Sequence, residues 1–368
     1  MKIKSFKAKN FRNIKNAEIE FSDGINLLIG KNAQGKTNVA EGIYLFSRGK
    51  SFRGSTDSEL ISFDEDGFFI SVDYEGKKGY YKLEYSVHGK EKSRKKNGYK
   101  VNSITELIDD FKCVLFVPDD LNIVKGSPEV RRDFLNIAAA KYTNDYIKYY
   151  KGYKVATENR NCILKNAKNG FYYDMGELLA WGNSVAGYAS HICEIRREYV
   201  EKIEKHAKKI LYEISSGKEE LSMRYKSDIE DGIFGIKNIE EEYKRIFSSE
   251  IDREIGAGFS LFGPCRDDIE ILINGKDARN FSSQGQKRSV ILAIKLAEGE
   301  VIKEKFGEYP VFIFDDVMSE LDEWRRKYII ENIKEKQIII TSCEKENYEN
   351  IADKVIEVEG GIYVSSHR

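Results

Sequence analysis

A short apolar run that ends in a glycine-rich loop is the feature that most restricts what this chain can become. Ile25 to Ile29 reads as a buried strand, and it passes directly into Gly30-Lys31-Asn32-Ala33-Gln34-Gly35-Lys36-Thr37. That octapeptide matches GxxxxGK[ST], and Thr37 to Phe46 has the composition of the helix such a loop must open. The glycines let backbone N–H groups curl around phosphate oxygens, and the new helix points its positive end at the same anion. Lys36 adds a cation for the outer phosphates, and the Thr37 hydroxyl is a ligand for Mg²⁺. A strand, this loop and a helix demand an α/β domain with a sheet behind the loop.

Three further segments extend the chemistry. Val311-Phe312-Ile313-Phe314 is an apolar strand that ends in Asp315-Asp316. Two carboxylates at the end of a buried strand are costly without a cation or a task. Asp315 is expected to hold Mg²⁺, and Asp316 to orient or deprotonate an attacking water. Ser283-Gln284-Gly285-Gln286 opens an amphipathic helix, where Ser283 also suits a plain N-cap. Ser319-Glu320-Leu321-Asp322 follows the acid pair and by itself is an ordinary turn.

Around these motifs the patterning changes twice. Residues 1–30 and Phe68 to Val87 alternate like strands, and Asn97-Gly98 is a hairpin signal. From Leu121 to Ile255 strand alternation gives way to helical spacing. Ile192, Ile195, Tyr199, Ile203, His206, Ile210 and Ile214 form a seam, with Tyr146 to Lys168 as its antiparallel partner. Strand patterning returns near Phe259, with Ile269 to Ile273 alternating and Gln337 to Thr341 reading as a further buried strand. The expected organisation is a mixed sheet carrying the loop, with an antiparallel part, split by a helical arm. The expected segments are 1–120, 121–255 and 256–368.

Sixty basic residues balance 61 acidic ones, so a nucleic-acid partner needs a local footprint. Residues 76–100 supply one. Lys77, Lys78, Lys82, Lys90, Lys92, Arg94, Lys95, Lys96 and Lys100 stand there against Glu84 and Glu91, with Tyr80, Tyr81 and Tyr99 interleaved. Arg53, Arg131 and Arg132 are further candidates; a solvated hairpin is the plain alternative. The five scattered cysteines suggest neither a disulfide framework nor a zinc site. No apolar run spans a bilayer and no signal-peptide core stands at Met1 to Phe11, so a cytoplasmic location is expected.

The order of P-loop, Ser-x-Gly-Gln, acid pair and Ser-x-Leu-Asp resembles ABC-type ATPases. Asn10-Phe11-Arg12-Asn13, the block LFVPDDLNIVKGSPEVRRDFLN at 115–136, FGPCRDDIEILINGKDARNFSSQGQKRS at 262–289 and VFIFDDVMSELDEWRR at 311–326 narrow this to the RecF family of SMC-like heads. The resemblance implies ATP held by 30–37 with Asn38, Arg12 and Asn13. It implies a signature Ser283 to Gln286 acting on the ATP of a second copy, and a D-loop at Ser319 to Asp322. It further implies an ATP-dependent homodimer and weak DNA-stimulated ATPase activity. Partners would be duplex and gapped or single-stranded DNA, together with RecR and RecO. The outcome would be RecA loading and replication restart, within the SOS response. Cys265 departs from the family's usual His, and the switch His of transporter ATPases is missing, with Thr341 and Ser342 in its neighbourhood. A transporter ATPase subunit and a nuclease-coupled or SMC-associated ATPase remain alternatives. The basic hairpin speaks against the first, and the short segment after the ATPase core against the second. A scaffold that binds ATP without hydrolysing it is opposed only by the intact Asp316.

Overall fold

The computed structural model describes residues 1–229, 232–332, 335–344 and 351–367. Along the chain run β1 (Lys2–Phe11), β2 (Ile14–Glu20), β3 (Ile25–Ile29), α1 (Lys36–Arg48), β4 (Gly67–Gly76), β5 (Gly79–His88), β6 (Glu91–Lys96), β7 (Tyr99–Lys100), α2 (Ile104–Asp110) and β8 (Cys113–Phe116). Next come α3 (Asn122–Lys125), α4 (Pro128–Tyr142), α5 (Asn144–Lys168), α6 (Met175–Ile214), β9 (Leu221–Lys226), α7 (Ile236–Ser249) and α8 (Ile251–Ala257). The last third holds β10 (Asp268–Ile273), β11 (Lys276–Asp277), α9 (Ala278–Phe281), α10 (Gln284–Phe306), β12 (Val311–Asp315), α11 (Glu323–Glu331), β13 (Ile338–Ser342), β14 (Lys354–Glu359) and β15 (Ile362–His367). They divide into two compact units. One comprises Met1–Leu121, Lys209–Lys218 and Arg288–Arg368; the other Asn122–Lys208 and Glu219–Lys287. The sequence-based boundaries at 120 and 255 differ from this at the second junction, because residues 256–287 pack with the helical unit.

The first unit carries two six-stranded sheets. One has the order β15-β14-β3-β13-β12-β8, with parallel pairing except for the terminal hairpin of β14 and β15. Every residue of β3, β8, β12 and β13 is buried, as expected for strands covered on both faces. The other sheet, β2-β1-β4-β5-β6-β7, is antiparallel. Its inner face places Phe6, Ile70, Val72, Leu83 and Tyr85 in one core with Val39, Ile43 and Phe46 of α1. A bulge between Ile3 and Ser5 explains why the apolar positions of β1 step by three at its start. Asn97-Gly98 and Gly360-Gly361 both take positive φ, the geometry of tight hairpin turns.

The second unit is less purely helical than its spacing suggests. Residues 221–226 form β9, which pairs with β10, and β11 completes a three-stranded sheet. Six residues of mixed polarity (LSMRYK) are too short a signal to stand out from the helical patterning around them. The seam on α6 is real: Ile192, Tyr199, Ile203, Ile210 and Ile214 are buried, while Ile195 and His206 are half-buried. The core holds Tyr146 and Tyr153 of α5 against Val185, Ala189 and Ile192 of α6 and Tyr243 of α7. A polar knot completes it. Arg196 is 1% exposed and donates to Asp267 at 2.6 Å, Pro264 O at 2.8 Å, Asn136 at 2.8 Å and the Tyr146 hydroxyl at 3.0 Å. Burial pushes the Asp267 carboxyl up, and Arg196 opposes that shift.

Candidate nucleotide site

β3, β12 and β13 lie side by side, and their carboxyl ends open on one edge of the parallel sheet, where α/β folds hold ligands. The loop after β3 wraps that edge. Gly35 has φ 113°, a region open to glycine, and a Cβ there would meet the Tyr363 hydroxyl at 2.7 Å. Tyr363 belongs to β15, and the Gly360 N–H donates to Gln34 Oε1 at 2.5 Å, so the terminal hairpin braces the loop. No side chain caps the start of α1 and its first turn holds no acid. Its leading N–H groups therefore present an uncompensated positive end, the arrangement an anion fits. Lys36 is 6% exposed and folds along the loop, donating to Gly30 O at 2.6 Å and Lys31 O at 2.9 Å.

The acid pair completes the edge. Asp315 accepts from Thr37 Oγ1 at 3.0 Å and from Thr341 Oγ1 at 2.6 Å on the same carboxylate oxygen. Burial pushes its carboxyl up; the two hydroxyls and Arg53 oppose this, and Asp316 reinforces it. A buried carboxylate joined to a threonine hydroxyl is an oxygen-only donor set, which suits a hard cation such as Mg²⁺. Asp316 is exposed, and its φ of 56° turns the carboxylate out of the strand. Its N–H donates to Thr341 Oγ1 at 3.1 Å. The open cleft measures about 350 Å³ and is lined by Asn13, Asn32 to Asn38, Arg53, Asp316 and Thr341.

Several expected residues change role. Arg12 does not line the cleft. It makes a two-pronged ion pair with the fully buried Glu41 at 2.8 and 2.9 Å, and a bond to Ser55 at 2.6 Å. Asn13 does reach it, holding Ala33 O at 3.0 Å and accepting from Asn38 at 2.7 Å. Arg53, expected among DNA contacts, lies in the cleft and donates to Asn38 at 3.0 Å. Both Arg131, which is buried, and Arg132, which is half-buried, are engaged within the second unit. Arg131 grips Asp268 at 2.6 and 2.8 Å, and Arg132 donates to Asp267 O at 3.1 Å. The blocks at 115–136 and 262–289 thus meet through their charges.

Ser283 caps α10. Its hydroxyl accepts from Gln286 N at 3.2 Å, and Gln286 Oε1 accepts from Ser283 N at 2.8 Å. Both side chains stay at the surface beside Gln284 and Gly285. Asp322 caps α11 through Arg325 N at 2.9 Å, Leu321 is buried, Glu320 pairs with Arg288 at 3.5 Å, and Ser319 is exposed. Cys343 was missed by sequence reasoning. Its thiol receives Lys36 Nζ at 3.4 Å and reaches Asn32 at 2.8 Å. The only available signal was its place three residues past the apolar Ile338-Ile339-Ile340 of β13.

The basic segment 76–100 divides by strand alternation. Lys92, Arg94 and Lys96 of β6 stand opposite Val87, Tyr85 and Leu83 and share their core-side face. Lys92 pairs with Asp57, Lys96 pairs with Asp110 at 2.7 Å, and Arg94 lies over the Tyr85 ring at 5.1 Å. Lys95 and Lys100 sit on the opposite face, and Lys77, Lys78 and Lys90 stand exposed at the turns.

These features define a P-loop protein built like the head of an SMC-type ATPase, with a helical insertion. A family model described as the RecF/RecN/SMC N terminal domain matches residues 2–361. A DNA replication and repair protein RecF from Clostridium kluyveri is 41% identical over 93% of this chain and 92% of its own length. The one from Clostridioides difficile is 36% identical over 99% and 98%. A solved structure of the recombination mediator protein RecF with ATP, in the RecFOR pathway, superposes with a TM-score of 0.91 at 36% identity over 99% of this chain and 97% of that one. An Smc head domain derived from Pyrococcus furiosus shares the fold, with a TM-score of 0.55 at 19% identity, covering 100% of this chain and 96% of that one. The chain belongs to the RecF family. Among the described residues, no helix is long and apolar enough to cross a membrane.

Proposed function

We propose that this chain is a cytoplasmic, ATP-driven clamp on DNA in recombinational repair and replication restart. The observation that carries the reading is the shared carboxylate of Asp315, tied to Thr37 and Thr341 beside a P-loop along which Lys36 is laid. ATP phosphates would take the N–H groups of residues 30–37 and the α1 terminus, with Lys36 turning from its carbonyl partners toward them. Thr37 and Asp315 would hold Mg²⁺, which supplies charge neutralisation at the phosphates when bound. Asp316 accepts the proton of the attacking water, and its aspartate length points to slow turnover. Ser283 and its neighbours would close the ATP site of a second copy, so that ATP holds a homodimer. In solution the switch would close on duplex and gapped DNA and pass that site to RecO, RecR and RecA loading within the SOS response. The relatives reported above, DNA replication and repair proteins and a recombination mediator in the RecFOR pathway, support that assignment.

The deciding measurement is molecular mass by light scattering, without nucleotide, with ATP-Mg²⁺, and with ATP and gapped duplex. The wild type is expected to double its mass only with ATP and to hold the dimer longer on DNA. Lys36→Met and Ser283→Arg are expected to stay monomeric. A mass blind to both ATP and DNA would overturn the clamp.

A further inference from the structure

We propose that the exposed face of α5 and the aromatic turn that follows it form a second nucleic-acid site, one that reads unpaired bases beside a phosphate track. The proposal rests on the DNA-clamp reading above and adds to it a place on the helical unit.

Lys148, Lys151, Lys154 and Lys165 are all exposed on α5. At 100° per residue they fall within one arc of roughly 120°, opposite Tyr146, Tyr153 and Leu164, which face the core. Glu158 is the single acid among them. No ion pair to any of the four lysines is present among the described residues. Cations on neighbouring helices behave otherwise. Lys202 and Lys209 of α6 each face a glutamate one turn away at 4.0 Å, Lys244 of α7 pairs with Glu240, and Arg245 pairs with Glu242. A helix face left with unneutralised lysines suits a polyanion. From Lys148 to Lys165 the face runs about 25 Å, some seven base pairs of duplex.

The end of that face carries aromatic surface. Phe171 is 65% and Tyr172 is 91% exposed. They do not sit on a loose loop. Phe171 N donates to Asn166 O at 3.0 Å and Gly170 N to Ala167 O at 3.0 Å, with Gly170 at φ 74°, closing the end of α5. Asp174 then caps α6, accepting from Gly176 N at 2.7 Å. Two aromatic rings held by capped helices lose little entropy on stacking. Base faces within a duplex are already stacked, so rings of this kind engage unpaired bases or the last pair at a junction. Lysines followed by aromatics therefore fit a duplex that opens into a single strand, rather than an acidic protein surface, for which the rings have no corresponding role.

The test is fluorescence anisotropy with the full chain and ATP-Mg²⁺ on three labelled DNAs: blunt duplex, single strand, and duplex with a single-stranded overhang. Phe171→Ala/Tyr172→Ala is expected to weaken overhang and single-strand binding by about tenfold or more, the loss of one or two stacked bases, and to leave blunt duplex within about twofold. Lys148→Ala/Lys151→Ala/Lys154→Ala/Lys165→Ala is expected to weaken all three and to lower the salt dependence on duplex by up to about 3.6 in log–log slope. Both variants should keep the wild-type ATP-dependent mass, which excludes misfolding. Wild-type affinity of both variants for all three DNAs overturns this site while the clamp stands. A wild type that binds none of the DNAs overturns the clamp and this site with it.

Discussion

At the scale of single residues, the buried acid at the end of β12 decides most. The folded state raises the Asp315 carboxyl above its unfolded value through burial. The charged form therefore costs stability above the unfolded value, and that cost fades as pH falls through the folded value. Ligand-free protein should gain stability, relative to Asp315→Asn, as pH is lowered from neutral toward the upper edge of the carboxylate range. The same variant should match or exceed wild-type melting temperature at neutral pH yet lose the stabilisation given by ATP-Mg²⁺. Thermal melts across pH, with and without nucleotide, check both. Asp316 offers a cleaner catalytic test. Asn tolerates the positive φ found there, so Asp316→Asn should fold normally while single-turnover hydrolysis falls by about 10²-fold or more. Arg12 is expected to act on stability instead. Arg12→Ala leaves Glu41 buried and poorly compensated and should cost about 3 kcal/mol in urea unfolding, with nucleotide affinity in the surviving folded fraction little changed.

At the scale of elements, alternation sorts charges that composition lumps together. The basic segment 76–100 looked like one patch, but β6 turns Lys92, Arg94 and Lys96 toward the core side and leaves Lys95 on the other face. Lys95→Glu/Lys100→Glu should weaken DNA binding several-fold. Lys92→Met and Lys96→Met should each cost at most about 1 kcal/mol of stability and leave DNA affinity nearly intact. Anisotropy and chemical denaturation on the same samples separate the two outcomes. The P-loop, the hairpin turns at Asn97-Gly98 and Gly360-Gly361, and the seam of α6 were legible in advance because each depends on residues close in the chain. β9 was not legible: Leu221, Met223 and Tyr225 do alternate with polar residues, but six residues inside a long helical stretch are a short signal, and the pairing partner β10 lies more than 40 residues away. Arg131 and Arg132 were hard to place for the same reason: their partners, the Asp268 carboxylate and the Asp267 carbonyl, are about 135 positions downstream.

At the scale of the whole molecule, the proposed function makes the chain a switch whose chemistry serves assembly. Differential binding of ATP to the dimer is what would drive closure. Steady-state turnover should stay below the ~10 s⁻¹ of a median enzyme, and a faster rate would contradict a timing role. The sequence by itself determined the phosphate loop, the acid pair and the family, because each is written in short contiguous motifs whose backbone geometry is set locally. Only the tertiary structure decided which charges are free. It assigned Arg12 to Glu41 and Arg131 to Asp268, brought Arg53 into the phosphate cleft, and left the lysines of α5 exposed. Pairing depends on which strands and helices become neighbours, and neighbours far apart in the chain are chosen by the packing of the core rather than by any local pattern.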